Sequence, residues 1–145
     1  MSVLFTVHGT PAPQGSKIRT RYGMREASTK LMPWREAIVS QIIRDGLNDT
    51  LLDGPLTVRA VFMFPRPKAH FGVKSGVPYL KDTAPRFKTT APDLDKLCRS
   101  LGDALTQSGL ITDDDRIARW ETEKRYCNGP ERPGVFVEVM PAFTF

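Results

Sequence analysis

The chain has 145 residues, 40% hydrophobic and 26% charged, with a formal net charge of +5. That composition suits one globular domain around one core and excludes a disordered or low-complexity chain. No apolar run approaches the ~20 residues of a membrane-spanning helix, and no basic patch followed by a long apolar stretch opens the sequence, so neither a membrane span nor a signal peptide is expected.

Val3 to His8 reads as a strand. A Pro/Gly loop over residues 9–15 follows and leads into Ser16 and Lys17. Ile18 to Ser28, with Gly23 in the middle, reads as a short hairpin. Residues 1–32 carry five Lys/Arg, among them Lys17, Arg19 and Arg21, against one acid. Pro33 to Leu47 reads as a helix: Pro33 suits a first turn, and Trp34, Ala37, Ile38 and Ile42 recur at helical spacing. Leu56 to Phe64 alternates as a strand, with Leu56, Val58, Ala60, Phe62 and Phe64 forming a wholly apolar face.

Residues 65–90 read as a long connection containing four prolines. Six bases (Arg66, Lys68, Lys74, Lys81, Arg86 and Lys88) stand there against Asp82 alone, interleaved with Phe71, Tyr79 and Phe87. Cations for phosphates and rings for bases are the two elements of a nucleic-acid clamp. The plainer reading is an insertion with incidental charge, since long loops are either functional or mobile.

Leu94 to Ser108 is the clearest helix. Stepped at 100° per residue, Leu94, Leu97, Cys98, Leu101, Ala104, Leu105 and Ser108 fall in one arc of roughly 120°, and Asp95, Arg99 and Asp103 lie opposite. Gly109 takes the left-handed position that ends such a helix. Arg116 to Tyr126 and Gly134 to Met140 read as strands joined by a hairpin turn. The sum is a single α/β domain of α+β character over residues 1–145, with a mixed sheet packed by two main helices. The two cysteines, Cys98 and Cys127, form no Cys-x-x-Cys pair and are expected as free thiols in a reducing cytoplasm.

The acids gather in the last third, where ten stand against seven bases. Pro92-Asp93-Leu94-Asp95 opens the long helix, and Asp113-Asp114-Asp115 follows it. Each group has an ordinary explanation, because aspartate caps helices and makes turns. Two groups together are harder to explain that way, since adjacent carboxylates repel one another unless a cation neutralises them. Hydrolysis of a phosphodiester needs an activated water and a stabilised, highly charged transition state, and a hard divalent cation held by carboxylate oxygens supplies both. The helix is ~20–24 Å long, so the two groups meet only if the chain turns back through residues 110–112. Asp103, two turns beyond Asp95, is expected to pair with Arg99 rather than join a metal. Arg99 has a second plain role as an i,i+4 partner of Asp95. Lys124 shares a strand face with Ala118, Trp120, Thr122 and Tyr126, and either snorkels to the rim or points at an anionic substrate.

The run Pro92-Asp93-Leu94-Asp95-Lys96-Leu97, then Leu101 to Gly109 with Asp103-Ala104-Leu105 inside it, then Asp113-Asp114 and a strand reaching Lys124, resembles the RusA family of Holliday junction resolvases. The Pro13-Gln14-Gly15-Ser16-Lys17 stretch is also similar to members of that family. The resemblance implies a homodimeric, cytoplasmic enzyme of a bacterium or phage that cuts four-way DNA junctions by paired symmetric nicks, using Mg²⁺ or Mn²⁺. It implies that Asp93, Asp95 and Asp114 are catalytic and hold the metal, with Asp113 as an auxiliary ligand. A catalytic lysine of the family falls at Arg99 and a strand lysine of the family at Lys124, so both are also expected to be catalytic. Arginine keeps the charge of that lysine but does not readily give up a proton. The family's frequent Asn after the second Asp is Lys96 here. Lys17, Arg19, Arg21, Lys68, Lys74, Lys81, Arg86, Lys88 and Lys96 are the expected DNA contacts. Two other functions fit the same residues: a less selective nuclease for flaps and branches, and a junction-binding protein without catalysis.

Overall fold

A computed structural model of the chain describes residues 2–14, 17–20, 23–26 and 31–143. Its centre is β4 (Leu56–Phe64), whose helix-facing side chains are almost wholly buried. The opposite face of β4 also buries Thr57 and Met63. The strand lies between β7 (Ile117–Tyr126), which runs parallel to it, and β8 (Gly134–Pro141), which runs antiparallel. β1 (Val3–His8) pairs antiparallel with β8, completing the order β1-β8-β4-β7.

That order corrects the hairpin expected between the last two strands. The turn at 127–133 carries the chain across the end of β4, where the Cys127 N–H donates to the Phe64 carbonyl at 2.9 Å. The hairpin expected near Gly23 does form, as β2 (Lys17–Thr20) with β3 (Gly23–Glu26). Gly15, Ser16, Arg21, Ala27 and Ser28 lie outside the described residues.

Two helices cover one face of the sheet. α1 (Leu31–Arg44) starts two residues before the expected Pro33 and buries Trp34, Ile38 and Ile42. α2 (Leu94–Gln107) buries Leu97, Leu101, Ala104 and Leu105 as its periodicity predicts. Gly109 closes it at φ +79°, a conformation that costs glycine nothing. This is an α+β domain with a mixed sheet and two helices.

The connection at 65–90 holds more structure than its prolines suggest. A 3₁₀ turn at Lys68–His70 leads into a second hairpin, β5 (Phe71–Lys74) and β6 (Val77–Leu80). Arg66 anchors its base. The guanidinium donates to the Cys127 and Pro85 carbonyls at 2.8 Å each and to Asn128 Oδ1 at 2.8 Å, and it lies over the Tyr126 ring. Residues 86–88 then run along the outer edge of β7.

Candidate active site

The turn back from α2 begins with burial. Leu110 and Ile111 are fully buried, and the Leu52 N–H and carbonyl bind the Leu110 carbonyl and the Thr112 N–H. This directs the chain into a 3₁₀ turn at Asp114–Arg116. There the three consecutive aspartates part company. Asp113 caps the turn, its Oδ1 accepting the Asp115 N–H at 3.2 Å. Asp115 pairs with Arg116 at 2.6 Å, and Arg116 is held equally closely by Asp53. Asp114 instead faces α2, with its Cβ over Gly102, where an added methyl would meet it at 3.6 Å.

An open pocket of about 460 Å³ lies between α2 and β7. Asp95, Arg99 and Asp114 supply its charges, and Leu94, Cys98, Gly102, Ile117, Trp120 and Thr122 line the rest. Asp95, Arg99 and Gly102 follow one another along a single face of α2 because their spacing matches the helical repeat. Trp120 and Thr122 arrive from β7 on the side that faces the helices, opposite Val58 and Ala60.

Asp93 sits beside this pocket rather than in its wall. It occupies the N-cap position of α2, yet its carboxylate makes no capping bond. It faces Lys96 at 3.4 Å and its side chain is 62% exposed. Its expected role as a cap is therefore not what fixes it. Among the described residues, no three His, Cys, Asp or Glu side chains are assembled as a ready metal cage. The donors are nonetheless of the right kind for a hard cation, being carboxylate oxygens on an open surface.

The carboxyl groups crowd one another here. The Asp114 carboxyl is raised above its ordinary value by a hydrogen bond with Asp113, by partial burial, and by repulsion from Asp113, Asp103 and Asp115. Asp113 is lowered, chiefly by the backbone N–H of Asp115. A positive ion near Asp114 would relieve this crowding.

The cations are arranged differently from the expectation. Asp103 pairs with Arg35 of α1 at 3.3 Å, and Arg35 also donates to Gln14. The expected partner, Arg99, is exposed and makes no ion pair with any described residue. A surface arginine at i+4 gains little from pairing, whereas Arg35 reaches Asp103 from a packed neighbouring helix. Lys124 neither snorkels nor points outward: its ammonium donates to the carbonyls of Thr90 and Pro92, both at 2.7 Å. Burial and the nearby Lys88 lower its pKa, and Asp93 opposes that shift.

Of the expected DNA contacts, Lys68, Lys74, Lys81 and Arg86 are exposed on and around the second hairpin. Lys88 is half-buried, bound to Thr90 Oγ1 at 2.8 Å and lying over the Phe64 and Tyr126 rings. Lys17 and Arg19 belong to β2. Sequence reasoning missed Asp53, Arg35 and the carbonyl grip of Lys124. It also passed over Gly102, although a glycine inside a good helix signals a close approach.

The sequence profile of the family described as Endodeoxyribonuclease RusA matches residues 8–140. The chain belongs to the RusA family. It is thus an endodeoxyribonuclease, a crossover junction resolvase whose family acts on Holliday junctions. RusA nucleases are generally dependent on divalent metal. No match is found among curated proteins. No helix among the described residues is long and apolar enough to cross a membrane. Cys98 and Cys127 are free, as expected.

Proposed function

We propose that this RusA protein resolves four-way junctions as a homodimer, with Mg²⁺ held by Asp93, Asp95 and Asp114 and with Asp113 as an auxiliary ligand. Mn²⁺ is expected to substitute, since it accepts the same oxygen donors. The observation that supports the reading is the shared pocket: Asp95 and Asp114 come from separate elements and line it together with Arg99 between α2 and β7.

A bound Mg²⁺ supplies an activated water and draws charge from the phosphate. The chain's own part is positioning. Asp95 and Asp114 flank the phosphate from two sides of the pocket. Arg99 offers a planar fork to two phosphate oxygens and stays charged throughout, which suits charge stabilisation rather than proton transfer. Trp120 lines the pocket from the β7 side. Lys68, Lys74, Lys81, Arg86 and Lys88, with Lys17, Arg19, Arg21 and Lys96, hold DNA arms through phosphates without reading sequence.

A C2 dimer presents two such sites related by symmetry, which matches two symmetric nicks. A bacterial or phage-infected cytoplasm suits both the substrate and the free thiols. The test compares cleavage of a synthetic four-way junction, a flap and a linear duplex at matched salt, with and without Mg²⁺. Paired nicks confined to the junction in Mg²⁺ support the proposal. Equal cutting of the flap favours the less selective nuclease, and tight binding without cleavage favours the inactive binder.

A further inference from the structure

The segment between the basic hairpin and α2 is fastened to the outer edge of the sheet. The Tyr126 N–H donates to the Arg86 carbonyl at 3.0 Å and the Lys88 N–H to the Lys124 carbonyl at 3.2 Å. Phe87 stands opposite Arg125 between them. Backbone pairing stops there and side chains take over. Lys88 Nζ binds Thr90 Oγ1, and Lys124 Nζ binds the Thr90 and Pro92 carbonyls.

Pro92 immediately precedes Asp93, so this grip ends where α2 begins. The usual local device for fixing a helix entry is absent, because the Asp93 carboxylate makes no capping bond. The first turn of α2 is held from the other side by the Gln14 N–H on the Lys96 carbonyl at 3.1 Å and by buried Leu97, so the approach of the chain to Asp93 depends on what holds residues 90–92. We propose that Lys124 is a positioning residue: by binding the two carbonyls it ties the head of α2 to β7 and sets the placement of Asp93 and Asp95. Two of the three ammonium protons are committed to the Thr90 and Pro92 carbonyls. The inference rests on Asp93 and Asp95 being the metal-holding pair.

The test uses the full chain with Lys124→Met and Lys124→Arg. The readouts are amide hydrogen exchange of residues 90–97 in the metal-free protein, Mn²⁺ binding followed by electron paramagnetic resonance, and junction binding without metal. For Lys124→Met, exchange at 90–97 rises and Mn²⁺ binding weakens by about 10-fold, the usual scale for losing a group that orients ligands. Junction affinity stays within about twofold, because the bases that hold the DNA phosphates are untouched. Lys124→Arg, which keeps donors for both carbonyls, recovers much of the protection. Should the methionine variant unfold, Lys124→Gln carries the same comparison. Unchanged exchange and Mn²⁺ binding would overturn the proposal, as would a selective loss of junction affinity with a shallower salt dependence. A wild-type protein that neither binds Mn²⁺ nor cuts junctions would instead remove the metal-site reading beneath it.

Discussion

Asp114 stands over Gly102, its Cβ 3.6 Å from where a methyl on that glycine would lie. Gly102 is seven residues, or two turns, beyond Asp95 on the same face of α2. The turn back from the helix therefore delivers Asp114 to the middle of α2, and one pocket spans it and Asp95. A spacing of 3.6 Å is ordinary contact, so Gly102→Ala is expected to keep activity and to gain up to about 1 kcal/mol from helix propensity. Gly102→Leu would push Asp114 and Trp120 away and lower cleavage at least about 10-fold, since small misplacements of reacting groups are costly. Thermal melts and junction cleavage on the two variants check both halves.

Arg99 lines the pocket without an ion-pair partner among the described residues. Arg99→Ala is expected to lower kcat by about 100-fold, the scale for removing one preorganised donor at a developing charge. Arg99→Lys keeps the charge and introduces a proton that can be lost. It should remain active and add a basic limb to the pH–rate profile. Single-turnover cleavage across pH separates the two; an unchanged rate for Arg99→Ala would remove Arg99 from the mechanism.

Glu131 is held down to about 2 by the Arg125 guanidinium and the Asn128 N–H. Its folded value lies below the ordinary 4.5, so its stabilising contribution is complete above 4.5 and is lost as pH falls towards about 2. The clasp it forms holds the 127–133 turn against β7. Glu131→Gln should flatten the fall in Tm across that acidic window and lower Tm slightly at neutral pH, as read by calorimetry.

The exposed bases of the second hairpin are proposed to grip DNA phosphates. Replacing Lys74, Lys81 and Arg86 together by alanine should weaken binding to all DNA forms alike. It should also reduce the slope of log affinity against log salt by about 0.9 for each phosphate that is no longer neutralised. The single-turnover rate at saturating enzyme should stay near wild type. Electrophoretic mobility across a salt series measures the slope.

Much of the fold can be read from residue patterns. The alternation from Leu56 to Phe64 marks β4 to the residue, and the apolar arc of α2 names the side chains it buries. Strand order is less accessible. Short connections favour hairpins, yet β4 needs partners on both edges and displaces the local pairing of β7 with β8. In the region 65–90 the prolines conceal a hairpin in which Gly72 lies beneath the Tyr79 ring. The residues of the proposed acidic site, Asp93, Asp95 and Asp114, are visible in sequence, but their neighbours are not. Arg35, Asp53 and the backbone carbonyls bound by Lys124 are remote in sequence from what they hold. No local pattern encodes such pairs.

Junction cleavage by Asp95→Asn and Asp114→Asn addresses the central claim most directly. Both variants keep the shape of the pocket and remove one charge each. Each is expected to bind a four-way junction with near wild-type affinity, while cleavage in Mg²⁺ falls by about 1,000-fold or more, as hydrolysis that depends on the metal they help to hold requires. Full cleavage by either variant would contradict the assignment of these aspartates to the metal.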